Sequence, residues 1–189
     1  MTLHTFEKYN IYAEITGFKN INSEQAITYL KNNRKTEPQK TWIQLFNPNL
    51  IATHEHLYFA ILNTLCAFRN HTNISKNIAM ETLLYTSTQH QIQKAIQTIG
   101  LKPDMSEMAV TIISENTKQI TETLNDLSTN LQAEPYDAVL NLNPKKTNQI
   151  KTVFNITNPM IEVTTKNNEN DLALVNLIIE KMALLATKL

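Results

Sequence analysis

The sequence predicts an α+β protein in which one small mixed sheet of three to four strands packs against a largely helical layer. Short β-branched and aromatic segments are separated along the chain, and a long apolar stretch in the middle has helical spacing. The predicted order, β-α-β-α-α-α-β-α-(β)-α, neither repeats nor alternates regularly. The 189 residues, 42% of them hydrophobic, suit a single domain over residues 1–189 with a sizeable core.

The first part of the chain predicts two strands around one helix. Residues 9–16 (YNIYAEIT) alternate in a strand-like way, and Ser23 is a suitable cap for a helix that continues to about Asn32. Residues 31–40 are polar and predict a loop. A second strand, TWIQLF, covers residues 41–46 and ends before Pro48.

The middle of the chain predicts three helices, over residues 53–69, 75–86 and 88–99. Ser87 is the expected cap of the third helix, and Gly100 is expected to close it in the left-handed conformation. Cys66 lies where a core residue belongs. The spacing of four apolar residues in the third helix predicts that all of them are buried: Ile92, Ala95, Ile96 and Ile99.

The last part of the chain predicts a strand at residues 108–113, a surface helix, and a final helix at residues 171–187 that is apolar on two faces. Residues 135–170 are interrupted by prolines and contain a possible strand at Val153–Thr157.

Composition excludes several classes of function. The formal net charge is zero, which argues against a general nucleic-acid coat protein, although basic residues and four of the five histidines favour the first hundred residues. With two glycines the chain has no phosphate-binding loop, so no nucleotide cofactor is expected. A single cysteine, no secretory signal and no apolar run of about 18 residues predict a cytoplasmic protein without membrane contact.

Catalytic and metal motifs are weak. In HEHL, residues 54–57, the two histidines lie about 200° apart on a helix, so they cannot share one metal ion. No nucleophile lies in a catalytic motif. Glu81, inside an apolar segment, could have a raised pKa, but the favoured role is structural, as an acceptor of hydrogen bonds from a helix N-terminus or a lysine. The alternative function is a small hydrolase or transferase that uses Glu81 with nearby histidines.

A polar face remains near the start of the third central helix. Helix N-termini favour anions, so this face is either solvated surface or a contact for phosphate or a short stretch of RNA backbone. The residues concerned are Ser87, His90, Gln91 and Lys94, together with Asn73, Ser75, Lys76 and Asn77 at the start of the preceding helix.

Four ordered segments resemble the CGI or PRPK-binding protein family, the regulatory subunits of the KEOPS (EKC) complex. They are IQLFNPNLIATHEHLYFAILNTLCAF, NISKNIAMETLLYTSTQHQIQKAIQTIGLK, FNIT and EKMALL. They resemble the family's HL-x-x-A helix, its N-I-x-x-x-x-x-x-E-x-L-x-Y segment, its R-Q-I-x-x-A-I helix followed by glycine, and its C-terminal E-x-x-A-L-L. The resemblance covers most of the chain in order.

The resemblance implies a non-catalytic subunit that docks on the atypical kinase of the complex and supports its activity. It also implies help in bringing tRNA, through its 3′ CCA end, to threonylcarbamoyladenosine synthesis, with indirect contact to the transferase subunit. The implied RNA-binding residues are His56, Asn73, Lys76, Ser87, His90, Gln91 and Lys94. The implied partner-binding residues lie on the final helix: Val175, Ile178, Ile179, Met182 and Leu185. The alternative for this helix, equally compatible with the sequence, is that it is buried in its own domain.

Two features depart from the family pattern. The family's usual arginine before Q-I is His90 here, so a charged contact would be weaker and would depend on pH near neutrality. The chain is also longer than a minimal archaeal member, with the excess expected at residues 31–40 and 135–170.

Overall fold

The computed structural model of the protein describes residues 2–33, 40–165 and 169–185. They form five strands: β1 (Thr2–Phe6), β2 (Ile11–Lys19), β3 (Thr41–Phe46), β4 (Glu107–Ser114) and β5 (Glu134–Pro135). They also form eight α-helices: α1 (Ser23–Asn33), α2 (His54–Asn70), α3 (Ile78–Ser87), α4 (Ile92–Ile99), α5 (Thr117–Leu131), α6 (Pro144–Val153), α7 (Asn158–Thr164) and α8 (Asn170–Leu185).

The strands form one open sheet in the order β1-β2-β4-β3, and the two-residue β5 pairs with the end of β2 at Phe18 and Lys19. The α+β class is confirmed. The pairing differs from the mixed sheet that the sequence predicts, because every pair among the described strands is antiparallel. The two central strands, β2 and β4, are paired from Tyr12 with Ser114 to Lys19 with Glu107.

Each face of the sheet has its own core. The strands alternate, so β2 directs Ala13 and Ile15 to one face and Phe18 to the other. The first face is covered by α2, α3 and α8 and forms the larger cluster, whereas α1 and α5 cover the second face. The helical layer is therefore divided between the two faces.

Several predicted elements are confirmed. β3 has the predicted bounds, α1 begins at Ser23, and α2 and α8 lie where the apolar periodicity predicts them. In the predicted loop, residues 34–39 lie outside the described residues. β1 was not predicted: it is a short edge strand whose conformation depends on its pairing with β2.

Two predictions around α4 were wrong. Ser87 is the last residue of α3, and Gln91 takes the N-cap position of α4. Gly100 is extended (φ −63°, ψ 154°) and forms a bridge with Phe46, because the chain continues straight towards the sheet. The left-handed cap residue is instead Thr88, which follows α3 with φ 54°.

The possible strand at Val153–Thr157 was also wrong, because this segment joins two helices. Asn143 caps α6 by accepting a hydrogen bond from the backbone of Lys146, and proline lies in the first turn of both α6 and α7. These helix-start signals outweigh the local β-branched composition.

Candidate partner and RNA interface

The polar residues predicted to bind RNA come mainly from two segments, the loop before α3 and the start of α4. Lys76, His90, Gln91 and Lys94 are exposed, and Asn73 is half-buried. α3 packs against α4. The structure therefore places five of the seven predicted RNA-binding residues at the surface.

The N-terminus of α3 is closed by its own chain. Asn77 accepts a hydrogen bond from the backbone N–H of Met80 at 3.1 Å, and Ser75 Oγ accepts one from the N–H of Asn77. The Asn73 amide donates to the carbonyl of Ser75. The donors that a phosphate would use are engaged here, so the predicted pair of open helix N-termini is reduced to one.

The N-terminus of α4 is open. Within the described part of the chain, the Gln91 side chain makes no capping hydrogen bond. The first-turn N–H groups of an α-helix have no intrahelical partner, and the helix dipole favours negative charge beside them. With Lys94 exposed on the first turn, this end of α4 suits an anion.

α4 also displays two isoleucines that the sequence predicts to be buried. Ile92 is 37% exposed and Ile96 is 46% exposed, while Ala95 and Ile99 are fully buried. Ile92 and Ile96 lie one turn apart and form a single apolar ridge. The prediction was wrong because α4 packs through only part of its apolar face.

His56 does not belong to this surface. It is fully buried, its Nδ1 accepts the N–H of Ala52 at 3.1 Å, and its Nε2 lies 2.9 Å from the carbonyl of Thr86. A carbonyl only accepts, so Nε2 carries the proton and the ring is neutral. Burial lowers the pKa of His56 to about 4. RNA cannot reach this residue, which joins α2 to the end of α3.

Ser87 is also buried, 1% exposed, and its hydroxyl donates to the carbonyl of Leu84. It was predicted as a surface cap because α3 was expected to end one residue earlier. His56 and Ser87 are therefore removed from the candidate RNA surface.

The partner-binding residues predicted on α8 lie mostly inside the protein's own core. Four are buried, namely Val175, Ile178, Met182 and Leu185, and Ile179 is partly buried against the same cluster. They are unavailable to a partner because α2, α3 and α7 cover this face of α8. The large apolar side chains exposed on α8 are Leu172 and Leu184.

Glu81 is held as a structural group. Its side chain is fully buried, Oε1 accepts the N–H of Ile74 at 3.1 Å, and Oε2 accepts the N–H of Ser75 at 2.6 Å. Burial raises the pKa of the Glu81 carboxyl, and the two N–H donors oppose that rise. Its two oxygens are engaged by backbone, which orders the loop before α3. Cys66, predicted in the core, is exposed.

The histidines of HEHL diverge as the helical spacing predicts. His56 lies in the core, whereas the Nε2 atom of His54 lies 3.0 Å from the Nε2 atom of His4 on β1. The two histidines therefore lie in different environments, one in the core and one beside β1.

The sequence missed a polar cleft at the other end of α4. Its cavity has a volume of about 430 Å³ and is lined by Asn47, Asn49, Leu50, Lys102, Asn148, Gln149, Thr152 and Val153. The N–H of Asn47 donates to the carbonyl of Ile99, which fixes the cleft beside the end of α4. Three separate parts of the chain build it, around residues 47–50, 102 and 148–153, so no local pattern indicates it.

The exposed apolar ridge and the uncapped N-terminus of α4 are features of an interaction surface, whereas the Glu81 carboxylate is engaged by backbone N–H groups. None of the described helices is both long enough and apolar enough to cross a membrane.

The comparisons with known proteins identify the family. The model of the family described as kinase binding protein CGI-121 matches residues 18–186. The regulatory protein Cgi121 of Methanocaldococcus jannaschii is 31% identical over 113 residues, which cover 60% of this chain and 70% of the relative. The chain belongs to the CGI-121 family, which confirms the resemblance seen in the sequence. It is a kinase-binding regulatory protein and not an enzyme.

Proposed function

We propose that this protein is a non-catalytic subunit of the KEOPS complex that docks on the atypical kinase and helps recruit tRNA through its 3′ CCA end. The modification served is threonylcarbamoyladenosine, and contact with the transferase subunit is indirect. The observation that carries the proposal is α4, which presents an apolar ridge and a cationic flank on opposite sides. We expect the protein to act in the cytoplasm.

The apolar ridge suits the kinase. Ile92 and Ile96 leave about two fifths of their surface in water although they belong to an amphipathic helix. Burying such side chains in a protein interface removes apolar area from water at about 25 cal/mol per Å². The ridge thus provides apolar area that kinase binding can remove from water, which the buried residues of α8 cannot provide.

The cationic flank suits RNA. At 100° per residue, Lys94 lies about 160° around α4 from both isoleucines, so one helix could contact two partners at once. Lys94 and the open N–H groups at Gln91 favour a phosphate, with His90 exposed beside them. Lys76, exposed in the loop before α3, and Asn73, half-buried there, are further polar candidates for RNA contact.

The cleft at the far end of α4 suits an unpaired base. Its amides on Asn47, Asn49, Asn148 and Gln149 are donors and acceptors of the kind that read base edges. α4 has eight residues and is about 12 Å long, which is the span of a few nucleotides. Capture of an RNA end needs few phosphate contacts, so zero net charge is compatible with it. Weak binding is strengthened by linkage to the other subunits.

Kinase docking is tested by placing a charge on the ridge. We expect Ile96→Glu to weaken binding to the purified kinase by about tenfold or more, because a carboxylate would be desolvated at the contact. Val163→Glu is the matched control, since Val163 on α7 is 89% exposed. Leu172→Glu on α8 tests the other candidate surface. Loss with Leu172→Glu and none with Ile96→Glu would move the docking surface to α8.

tRNA capture is tested by comparing intact tRNA with tRNA that lacks its CCA end, at low and at physiological salt. We expect binding that requires the CCA end. Lys94→Ala is expected to reduce the salt slope by about 0.7, the value for one single-strand phosphate contact. Lys118→Ala, an exposed lysine on α5, is the control. Equal binding of both tRNAs would remove this part of the proposal and leave a kinase-docking subunit.

A further inference from the structure

The pair formed by His4 and His54 lies on different elements from the residues of the proposed function. His4 is on the edge strand β1 and His54 is the first residue of α2, fifty residues later. Their Nε2 atoms are 3.0 Å apart and their ring centres are 4.7 Å apart. Both rings are partly buried.

We propose that His4 and His54 together bind one divalent transition-metal ion of the zinc class through their Nε2 atoms. This site is independent of the kinase and RNA surfaces. It would fasten β1, an edge strand with a single partner strand, to the start of α2.

The distances favour two imidazoles aimed at a common point. With metal–nitrogen bonds of about 2.05 Å, Nε2 atoms 3.0 Å apart subtend about 94° at the metal, and widening them by about 0.3 Å gives the tetrahedral angle. Bonds converging in this way place the ring centres about 4.7 Å apart, whereas a linear N–H···N hydrogen bond places them about 5.3 Å apart. The separation is 4.7 Å.

Binding of the ion requires a change of tautomer in one ring. At 3.0 Å one Nε2 donates its N–H to the other, so this ring must carry its proton on Nδ1 before both Nε2 atoms can bind the ion.

Aromatic side chains hold His4 in position. Tyr58, on α2, meets the His4 ring edge-on at 5.0 Å, and Phe6 stacks on Tyr58 at 5.2 Å. A ring fixed before binding loses little conformational freedom when the ion arrives, which favours affinity.

The cavity beside His54 suits a cation. It has a volume of about 490 Å³, and its lining includes three carboxylates, on Glu55, Asp137 and Asp171. Across residues 2–33, 40–165 and 169–185, no group of three metal-ligating side chains converges. Water would therefore complete the coordination of the ion, and imidazole as the protein ligand favours zinc, nickel or copper over magnesium.

The test uses protein without a histidine tag, titrated with Zn²⁺ at pH 7.5 by calorimetry and by thermal unfolding. We expect one ion per chain with micromolar affinity and a higher unfolding temperature, because the ion binds only the folded pair. His4→Gln and His54→Gln should each weaken binding by about tenfold or more. Mg²⁺ should leave the unfolding temperature unchanged.

His71→Asn is the matched control, since His71 is exposed at the end of α2 and asparagine accepts its left-handed conformation. It should bind Zn²⁺ like the unmodified protein. Absence of saturable binding, or equal binding by His4→Gln and the unmodified protein, would overturn the proposal and leave a hydrogen bond between two neutral imidazoles. Because two variants on separate elements test the same site, a folding defect in one does not obscure the result.

Discussion

α4 and α8 are both rich in apolar residues, but the protein buries most of those on α8 and leaves part of those on α4 exposed to solvent. α8 runs for sixteen residues and is packed by α2, α3 and α7, so its apolar residues are mostly internal. α4 has eight residues and buries Ala95 and Ile99 while displaying Ile92 and Ile96. Apolar spacing predicts that one face of a helix is buried. Only the structure shows whether that face packs against the same chain or is left for a partner.

The difference in burial between α4 and α8 is tested most strongly by truncating one isoleucine on each helix. Ile178→Ala on α8 should lower the free energy of unfolding by about 2–5 kcal/mol, because a fully buried side chain leaves a cavity. Ile96→Ala should lower it by less than about 1 kcal/mol, since almost half of the side chain is already in water. Urea unfolding followed by circular dichroism measures both. Equal losses would mean that α4 is as internal as α8.

A second prediction concerns the interior that α2 shares with α3. The pKa of His56 is about 4 in the folded protein, against 6.5 for the unperturbed side chain. The unfolded chain therefore binds more protons between these values, so stability falls as the pH drops from about 6.5 to 4. The full loss is about 3 kcal/mol at 1.36 kcal/mol per pKa unit.

Urea unfolding at pH 7 and at pH 4.5 measures this loss, and His56→Gln provides the comparison. A glutamine does not titrate, so the difference in stability between the two proteins should shrink as the pH falls. A difference that stays constant across this range would show that His56 keeps its ordinary pKa in the folded protein.

The smallest expected effect concerns the N-termini of α3 and α4, of which only the first has a side-chain cap. Gln91→Asp should stabilise the protein by about 0.5–1 kcal/mol, because aspartate caps α4 as Asn77 caps α3. The same carboxylate should weaken tRNA binding several-fold, since it occupies and repels the proposed phosphate position. Urea unfolding and tRNA titration give the two readings. Asn77→Ala, which removes the existing cap, should destabilise by about 1 kcal/mol.

The sequence predicted the elements better than their surroundings. β3 and the start of α1 follow from local signals, and the helical spacing located α2 and α8. Burial of α8 and exposure of α4 depend on which distant elements pack there, so the sequence assigned Ile96 to the wrong environment and left that of Ile178 undecided. The buried position of His56 likewise depends on α3, thirty residues away.

The sequence predicted a candidate site when its residues lie close together in the chain, and missed a site that joins distant segments. Gln91 and Lys94 lie within one turn of one helix, and the sequence indicated them. The amide cleft and the His4–His54 pair each join segments far apart in the chain. His4 escaped notice because β1 exists through its pairing with β2, which a five-residue segment does not reveal.

The pairing of β2 with β4 has a consequence for synthesis. Partners such as Tyr12 and Ser114 are 102 residues apart, so the centre of the sheet closes only after most of the described chain has emerged from the ribosome. At about 5–20 residues per second, β2 waits about 5–20 s for this partner. During that interval the edge of β2 that pairs with β4 lacks its partner strand, whereas β1 is already available to pair with the opposite edge.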